Sequence, residues 1–207
     1  MTFEEARVIC IVYTSAIIPL IILLRYQYTL PSWVLFIYIS AFLVCALGWE
    51  IWFTYGLIDG DSVIIRRSAA LNTWIPLHIN WILNSLADAG TVCLGGLWLM
   101  WRFTEKNLLV FHQWHWRGFF ILLLWCIGQN LFVELFLYHD QLTIGKDLSW
   151  APLIPTGNFF NPQLFEFQGR VVMFQTQIPW IILPGILYKA VIYVSQRSET
   201  KVPLYTK

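Results

Sequence analysis

The chain has 207 residues and a formal net charge of +1, and 58% of its residues are hydrophobic whereas only 12% are charged. This composition lies far from that of an average soluble domain, and a near-neutral chain without a basic run gives no indication of nucleic-acid binding. A helix needs about 20 consecutive apolar residues to cross a bilayer, and several stretches of this chain are apolar over about that length. The composition predicts an integral membrane protein.

Apolar stretches long enough for membrane helices occur in chain order at 8–24, 33–55, 76–101, 117–138 and 171–195. They predict an all-α, polytopic membrane protein, a bundle of five transmembrane helices around an intramembrane cavity. The longest connection, residues 139–170, contains prolines and glycines that argue against a further membrane helix. We divide the chain into an N-terminal anchor helix and loop, a four-helix membrane domain and a C-terminal tail, at residues 1–32, 33–195 and 196–207.

Three carboxylic acids lie inside these stretches: Glu50, Asp88 and Glu134. An ionisable group inside a membrane is costly, so each acid marks a candidate functional site. Asp88 is predicted near the middle of the membrane, and its short side chain does not reach the interface, which favours a functional role. Glu134 lies near a helix end, where a side chain that reaches the interface is an equal alternative.

Side-chain amides accompany these acids. Asn80, Asn84 and Asp88 recur every four residues and therefore form one stripe on a helix. Alternating helix directions place the end of the second and fourth stretches beside the start of the third and fifth. The same half of the membrane thus receives Glu50, Asn130, Glu134, Gln175 and Gln177. Each amide taken singly is also compatible with interhelical hydrogen bonding, which is common in membrane proteins.

Two acids in a dry cavity support proton chemistry. When two carboxyl groups share a low-dielectric site, one can stay protonated and donate while the other accepts a proton. Aromatic faces nearby stabilise a carbocation by cation–π attraction. The candidate aromatic residues are Trp49, Trp52, Trp81 and Trp180.

Ordered motifs in four of the stretches resemble a known family. They are EIWF at 50–53, Asp88 and Thr91 followed by GGLWLMW at 95–101, IGQNLFVELFLYHD at 127–140, and Gln177 and Trp180 followed by LPG at 183–185. In this order, and over residues 33–195, they resemble the emopamil-binding protein family. That family comprises the sterol Δ8–Δ7 isomerases and relatives that share the EXPERA membrane domain.

The resemblance implies an isomerase that shifts a double bond through a carbocation, with Glu50 and Asp88 as catalytic acids. It implies roles for Trp180, Gln177 and Thr91 in binding the substrate or the cation. The polar pattern adds to these binding residues Trp49, Asn84, Asn130 and Glu134. No metal and no organic cofactor is expected.

The expected partners are the membrane and a sterol or other isoprenoid lipid, with cationic amphiphilic amines as further ligands, and a homodimer is left open. The resemblance implies the endoplasmic reticulum in a eukaryote, whereas a bacterial chain would lie in the inner membrane. The chain departs from the family at Ala46, where the sterol isomerases have a histidine, and at Asp88 and Gln177, where glutamate and asparagine are usual.

Three alternatives remain open at the level of sequence. A non-catalytic sterol- or lipid-binding protein would keep the cavity without turnover, and Ala46 favours this reading. A membrane terpene cyclase would use the same first protonation, and Trp49, Glu50 and Ile51 are similar to a motif of the fungal enzymes.

The third alternative is a metal or haem site. Asp59 and Asp61 form a DxD that is compatible with Mg²⁺ but is also typical of a turn. His78 and His139 lie on one side of the membrane and are the candidate iron ligands. Ligand number and spacing are both poor for such a site.

Overall fold

The computed structural model describes residues 1–56, 61–143 and 162–199. Within these ranges, five helices are long and apolar enough to cross a membrane. They are α1 Phe3–Tyr26, α2 Ser32–Tyr55, α3 Leu77–Phe103, α4 Trp116–Gln141 and α5 Phe174–Glu199. The chain is therefore an all-α, polytopic membrane protein, and the five predicted stretches are confirmed.

Local sequence sets several helix boundaries. A capping box begins α1, because the Glu5 amide donates to Thr2 Oγ1 at 3.2 Å and the Thr2 amide donates to the Glu5 carboxylate at 2.7 Å. Gly56 ends α2 in the left-handed conformation, with φ 67°, which glycine adopts without a steric cost. Pro76 precedes α3 and has the fixed φ that suits a helix start. α2 ends at the predicted residue 55 and α3 begins one residue after the predicted 76, whereas α1 begins at Phe3, five residues before the predicted 8.

Short elements occupy the connections. Two short helices, Val63–Arg66 and Ala69–Trp74, lie between α2 and α3, and a 3₁₀ turn, Leu108–Phe111, lies between α3 and α4. Before α5, strands β1 Gln163–Phe167 and β2 Arg170–Met173 form an antiparallel hairpin.

The hairpin corrects one predicted boundary. The sequence places the start of the fifth membrane stretch at residue 171, whereas residues 171–173 belong to β2 and the helix begins at Phe174. Val171 and Val172 are β-branched and apolar, so they suit a strand as well as a membrane helix. Hydropathy alone therefore does not separate the two at this position.

The helices pack through two main hydrophobic clusters. One joins α1 to α3 and its preceding segment and contains Val8, Val12, Ala16, Leu71, Ile75, Leu83 and Leu137. The other joins α4 to α5 and neighbouring elements, with Leu122, Tyr188 and Val191 fully buried. The predicted anchor helix α1 thus packs as part of the bundle. The domain boundaries at 32 and 195 stay predictions, and residues 200–207 of the predicted tail lie outside the described residues.

Candidate functional site

The three intramembrane acids share an unusual backbone setting. Each lies in a π-helical segment of its helix: Ala46–Glu50 in α2, Asp88–Leu94 in α3 and Val133–Tyr138 in α4. A π-bulge widens the helix and interrupts the regular pattern of i→i−4 hydrogen bonds, and such bulges are frequent at functional sites. In α2 the irregularity includes a kink at Gly48, with φ −81° and ψ −105°.

A side chain from another element donates to a backbone carbonyl in each of these three segments. The Trp81 indole donates to Ala46 O at 2.8 Å, and the Trp125 indole donates to Val92 O at 3.1 Å. In the third segment the Arg170 guanidinium donates to Leu135 O at 2.6 Å. Because an unpaired backbone carbonyl is costly inside a membrane, these donors stabilise the bulges and so fix the positions of the acids.

Glu50 and Asp88 face each other across α2 and α3, and we call them the acid pair. The carboxyl group of Glu50 is buried, with 3% of the residue exposed, and it lies within electrostatic range of Asp88 and beside the Asn84 amide. Its Oε2 atom has no hydrogen-bond partner among the described residues. A buried polar atom without a partner is rare in native proteins and calls for an explanation.

Asp88 has a partner that Glu50 lacks. The indole Nε1 of Trp49 donates to Asp88 Oδ2 at 2.8 Å, and the Cys45 thiol lies beside the same carboxyl group. Trp49 also packs edge-to-face on Trp180, with ring centroids 5.4 Å apart and an interplanar angle of 65°. The acid pair therefore adjoins two tryptophan rings, one of which is hydrogen-bonded to an acid.

Glu134 belongs to a second group, which we call the amide cluster: Asn130, Glu134, Thr176 and Gln177. Glu134 is fully buried and accepts hydrogen bonds from the Met173 amide at 2.9 Å, from Thr176 Oγ1 at 2.7 Å and from Gln177 Nε2 at 2.5 Å. The Asn130 amide donates to Gln177 Oε1 at 2.9 Å. The Glu134 side chain thus lies inside the bundle and does not extend to the interface.

The structure divides the predicted site residues into two neighbouring groups and leaves one apart. Glu50, Asp88, Asn84, Trp49 and Trp180 meet around the acid pair, whereas Asn130, Glu134 and Gln177 meet in the amide cluster. The Thr91 hydroxyl is used elsewhere, because it donates to the Ser15 carbonyl of α1 at 2.7 Å. The intramembrane cavity that the sequence predicts at this position stays a prediction.

The sequence reasoning missed Tyr138. Its ring packs on Phe53 with centroids 4.7 Å apart, and its phenol lies within electrostatic range of Glu50, Asp88 and Glu134. Tyr138 is therefore the residue that lies near both the acid pair and the amide cluster. The available signal was its position four residues after Glu134, which places the two side chains on one face of a helix.

Two arginines were also missed, since the sequence places them in a polar loop. Arg66 and Arg67 are both buried, and each is 3% exposed. The Arg66 guanidinium lies 4.5 Å from the Phe53 ring centroid and donates to Phe53 O at 2.5 Å. Burial lowers the pKa of Arg66 from the usual arginine value, while the neighbouring Tyr138, Asp61 and Glu50 oppose that shift.

The histidines of the metal alternative have protein partners. His78 Nδ1 lies 2.8 Å from the Tyr55 hydroxyl, and His139 Nε2 lies 3.4 Å from Val171 O. Of the DxD pair, Asp61 lies within the described residues and Asp59 lies outside them. Within the described residues no group of three or more histidine, cysteine, aspartate or glutamate side chains is placed to hold a metal ion.

In comparisons with known proteins, no family, no curated protein and no solved structure matches this chain. The resemblance to the emopamil-binding protein family therefore stays a prediction.

Proposed function

We propose that this membrane protein is an isomerase-like enzyme that shifts a double bond in a sterol or another isoprenoid lipid. The observation that carries the proposal is the acid pair: two buried carboxyl groups within electrostatic range, one bonded to an indole and one with an unpartnered oxygen. An unpartnered carboxyl oxygen in an apolar setting is available to a substrate carbon, since no described protein group engages it.

The hydrogen bonds suggest different roles for the two acids. The Trp49 N–H stabilises the ionised form of Asp88, because a donor favours the charged state of a carboxylate. Two close carboxyl groups are more stable when they share one proton than when both are ionised. In the proposed reaction Glu50 holds that proton and donates it, and Asp88 is the carboxylate that accepts a proton.

The proposed steps balance without a cofactor. The Glu50 proton adds to one carbon of the double bond, and the π electrons form the new C–H bond and leave a carbocation. Asp88 then removes a proton from a neighbouring carbon, and the C–H electrons form the shifted double bond. Asp88 then releases this proton to water and Glu50 takes up a proton from water, which restores the starting state. The rings of Trp49 and Trp180 would stabilise the intermediate cation.

The resemblance to the emopamil-binding protein family supports this proposal and suggests a sterol as the first substrate to test. It also suggests that cationic amphiphilic amines bind beside the acid pair, because they mimic the carbocation. The proposed location is the endoplasmic reticulum of a eukaryote or the inner membrane of a bacterium. A terpene cyclase would share the first protonation and differ only in the fate of the cation.

A second candidate function is lipid binding without turnover. It is favoured by Ala46, which occupies the position of the histidine in the sterol isomerases. Ala46 is 1% exposed, and its carbonyl accepts the Trp81 indole N–H. Alanine carries no titratable group, so any catalysis here would proceed without proton transfer by the side chain at position 46.

The test is incubation of an 8-ene sterol with the purified protein in D₂O, followed by mass spectrometry of the sterols. The variants are Glu50→Gln and Asp88→Asn, and the matched control is Glu105→Gln, which removes an exposed carboxylate. We expect a deuterated 7-ene product from the wild type and the control. We expect its rate to fall at least about 100-fold in both acid variants, as for the loss of a general acid or base.

Binding of a labelled cationic amine is measured on the same samples. Saturable amine and sterol binding without any product would support the binding function instead. Turnover that both acid variants retain would contradict the proposed roles of Glu50 and Asp88. The absence of both product and sterol binding would exclude sterols as the substrate class.

A further inference from the structure

A partly enclosed recess lies where α2 and α4 end, on the side of the acid pair nearer to the membrane surface. It is lined by Phe53, Val63, Arg66, Arg67, Tyr138, Gln141 and Leu142. The segments that follow α2 and α4 meet beside it, because Arg67 and Leu142 form an antiparallel bridge and the Thr143 amide donates to Arg66 O at 2.9 Å. The recess therefore has fixed walls from three parts of the chain.

Arg67 is a buried cation whose hydrogen-bond partners are all neutral. Its Nε donates to Asn72 Oδ1 at 2.7 Å, its Nη1 donates to Asn80 Oδ1 at 2.8 Å, and its Nη2 donates to Ile75 O. A guanidinium has five N–H donors, so two remain beyond these three bonds. No carboxylate of the described residues pairs with Arg67.

Arg67 differs in this respect from the arginines Arg7 and Arg170, each of which is paired with a carboxylate. Those two share the carboxylate of Asp140, with Arg170 Nη2 at 2.7 Å from Asp140 Oδ1. Burying a charge without an opposite charge is expensive. Burial, and then the charge of Arg66, lower the pKa of Arg67 to about 10, so the group stays protonated at neutral pH.

We propose that the recess binds an anionic phosphate group through Arg67, and that this phosphate is the head of an amphiphilic lipid. Arginine suits phosphate because its planar fork offers parallel N–H donors to two oxygens. The recess adjoins the end of a membrane helix, which is the depth of lipid head groups. Its lining includes Phe53, which lies on α2 three residues after Glu50.

This inference does not depend on proton transfer by the acid pair. A lipid held in this way would present its chain toward Trp49 and Trp180, but a purely structural or regulatory lipid would occupy the recess equally well. Its test is therefore a binding measurement, which a failure of the isomerase proposal would leave unaffected.

The experiment compares farnesyl monophosphate with farnesol by isothermal titration calorimetry, using the full chain in a non-ionic detergent. We expect the phosphate to bind at least about tenfold more tightly than the alcohol, with a preference that declines as salt is added. Arg67→Gln should abolish the preference and Arg67→Lys should retain much of it. The matched control is Arg25→Gln, which removes an exposed arginine in the last turn of α1 that does not line the recess.

Inorganic phosphate separates the two sources of the anion. Competition by millimolar phosphate would show that the recess accepts the free ion, whereas no competition together with tight binding of farnesyl phosphate would assign it to a lipid head group. Equal affinities of the wild type for farnesyl phosphate and farnesol would overturn the proposal, as would a preference that Arg67→Gln retains. If Arg67→Gln does not fold, the proposal is tested by three other results: the wild-type preference for farnesyl monophosphate over farnesol, the salt dependence of that preference, and the preference of Arg67→Lys. The preference should persist in Glu50→Gln and Asp88→Asn.

Discussion

The carboxyl groups of the acid pair and of the amide cluster lie in the same type of π-helical backbone but differ in their hydrogen-bond partners. Glu50 and Glu134 are both buried and both lie in π-helical segments. Glu134 accepts three hydrogen bonds from α5 and the residue before it, whereas Glu50 keeps one oxygen without a partner in the described part of the chain. Burial and backbone irregularity therefore do not distinguish Glu50 from Glu134.

Glu50 and Glu134 differ in the number of hydrogen-bond donors around their carboxyl groups. A carboxylate saturated by donors is stabilised where it is, so its removal costs folding free energy. A carboxyl group with an unused oxygen contributes little to folding but remains free to react, which is the usual exchange between stability and activity at functional sites. The comparison predicts that the two groups of residues respond oppositely to substitution.

A large loss of stability is expected for Glu134→Gln. The Glu134 carboxylate accepts hydrogen bonds from Met173, Thr176 and Gln177. In the variant the new NH₂ group is itself a donor, so at least one of these buried donors loses its acceptor. We expect the free energy of unfolding to fall by about 2 kcal/mol, measured by SDS-induced unfolding in mixed micelles with tryptophan fluorescence as the signal.

Glu50→Gln is the matched variant for that measurement. Since Glu50 Oε2 has no partner in the described residues, the free energy of unfolding should fall by much less than in Glu134→Gln, by about 0.5 kcal/mol, the lower end for one hydrogen bond. Equal losses in the two variants would break the comparison between the acid pair and the amide cluster.

Gly90→Ala tests whether helix packing sets the position of the acid pair. Gly90 lies in the π-helical segment that starts at Asp88, and a Cβ atom there would come 2.6 Å from Pro19 Cβ in α1. We expect overpacking to cost about 1–3 kcal/mol of the unfolding free energy. Gly128→Ala is the control, because nothing lies within 4 Å of its Cβ position, and it should leave stability unchanged.

Trp49→Phe tests the hydrogen bond that distinguishes Asp88 from Glu50. The variant removes the indole N–H and keeps an aromatic ring against Trp180. We expect turnover in the proposed sterol assay to fall about tenfold, consistent with about 1.4 kcal/mol for one hydrogen bond to a charged group, while sterol affinity is retained. The control is Trp98→Phe, at an exposed ring on α3, and an equal loss in both variants would remove the special role of Trp49.

A small loss of stability is expected for Thr91→Val. This change removes the hydroxyl that donates to Ser15 O, so the α1–α3 contact should weaken by about 1 kcal/mol in the SDS titration. Thr91→Ser keeps the hydroxyl and should restore most of that loss. Turnover should be unchanged in both, and a selective loss of turnover in Thr91→Val would instead return Thr91 to the substrate site.

The spacing of polar residues along the sequence was sufficient to predict much of the candidate site. The four-residue spacing of Asn84 and Asp88 and the alternating direction of the helices were enough to bring Glu50 close to both. The same reasoning did not anticipate the hydrogen bond from Thr91 to α1, because the face of α3 that meets α1 is not marked in the sequence. It also missed Arg67, since a loop arginine is ordinarily solvated and only the folded chain buries it.

The sequence by itself determined the five membrane helices and the presence of acids among them, because hydropathy summed over about 20 residues outweighs any local preference. Only the tertiary structure decided which acid is saturated with donors, where the backbone widens into π-helical segments, and which arginine lies buried among neutral partners. Those outcomes depend on single side chains from distant parts of the chain, such as Trp81, Trp125 and Arg170, which meet the irregular backbone only after the helices have packed.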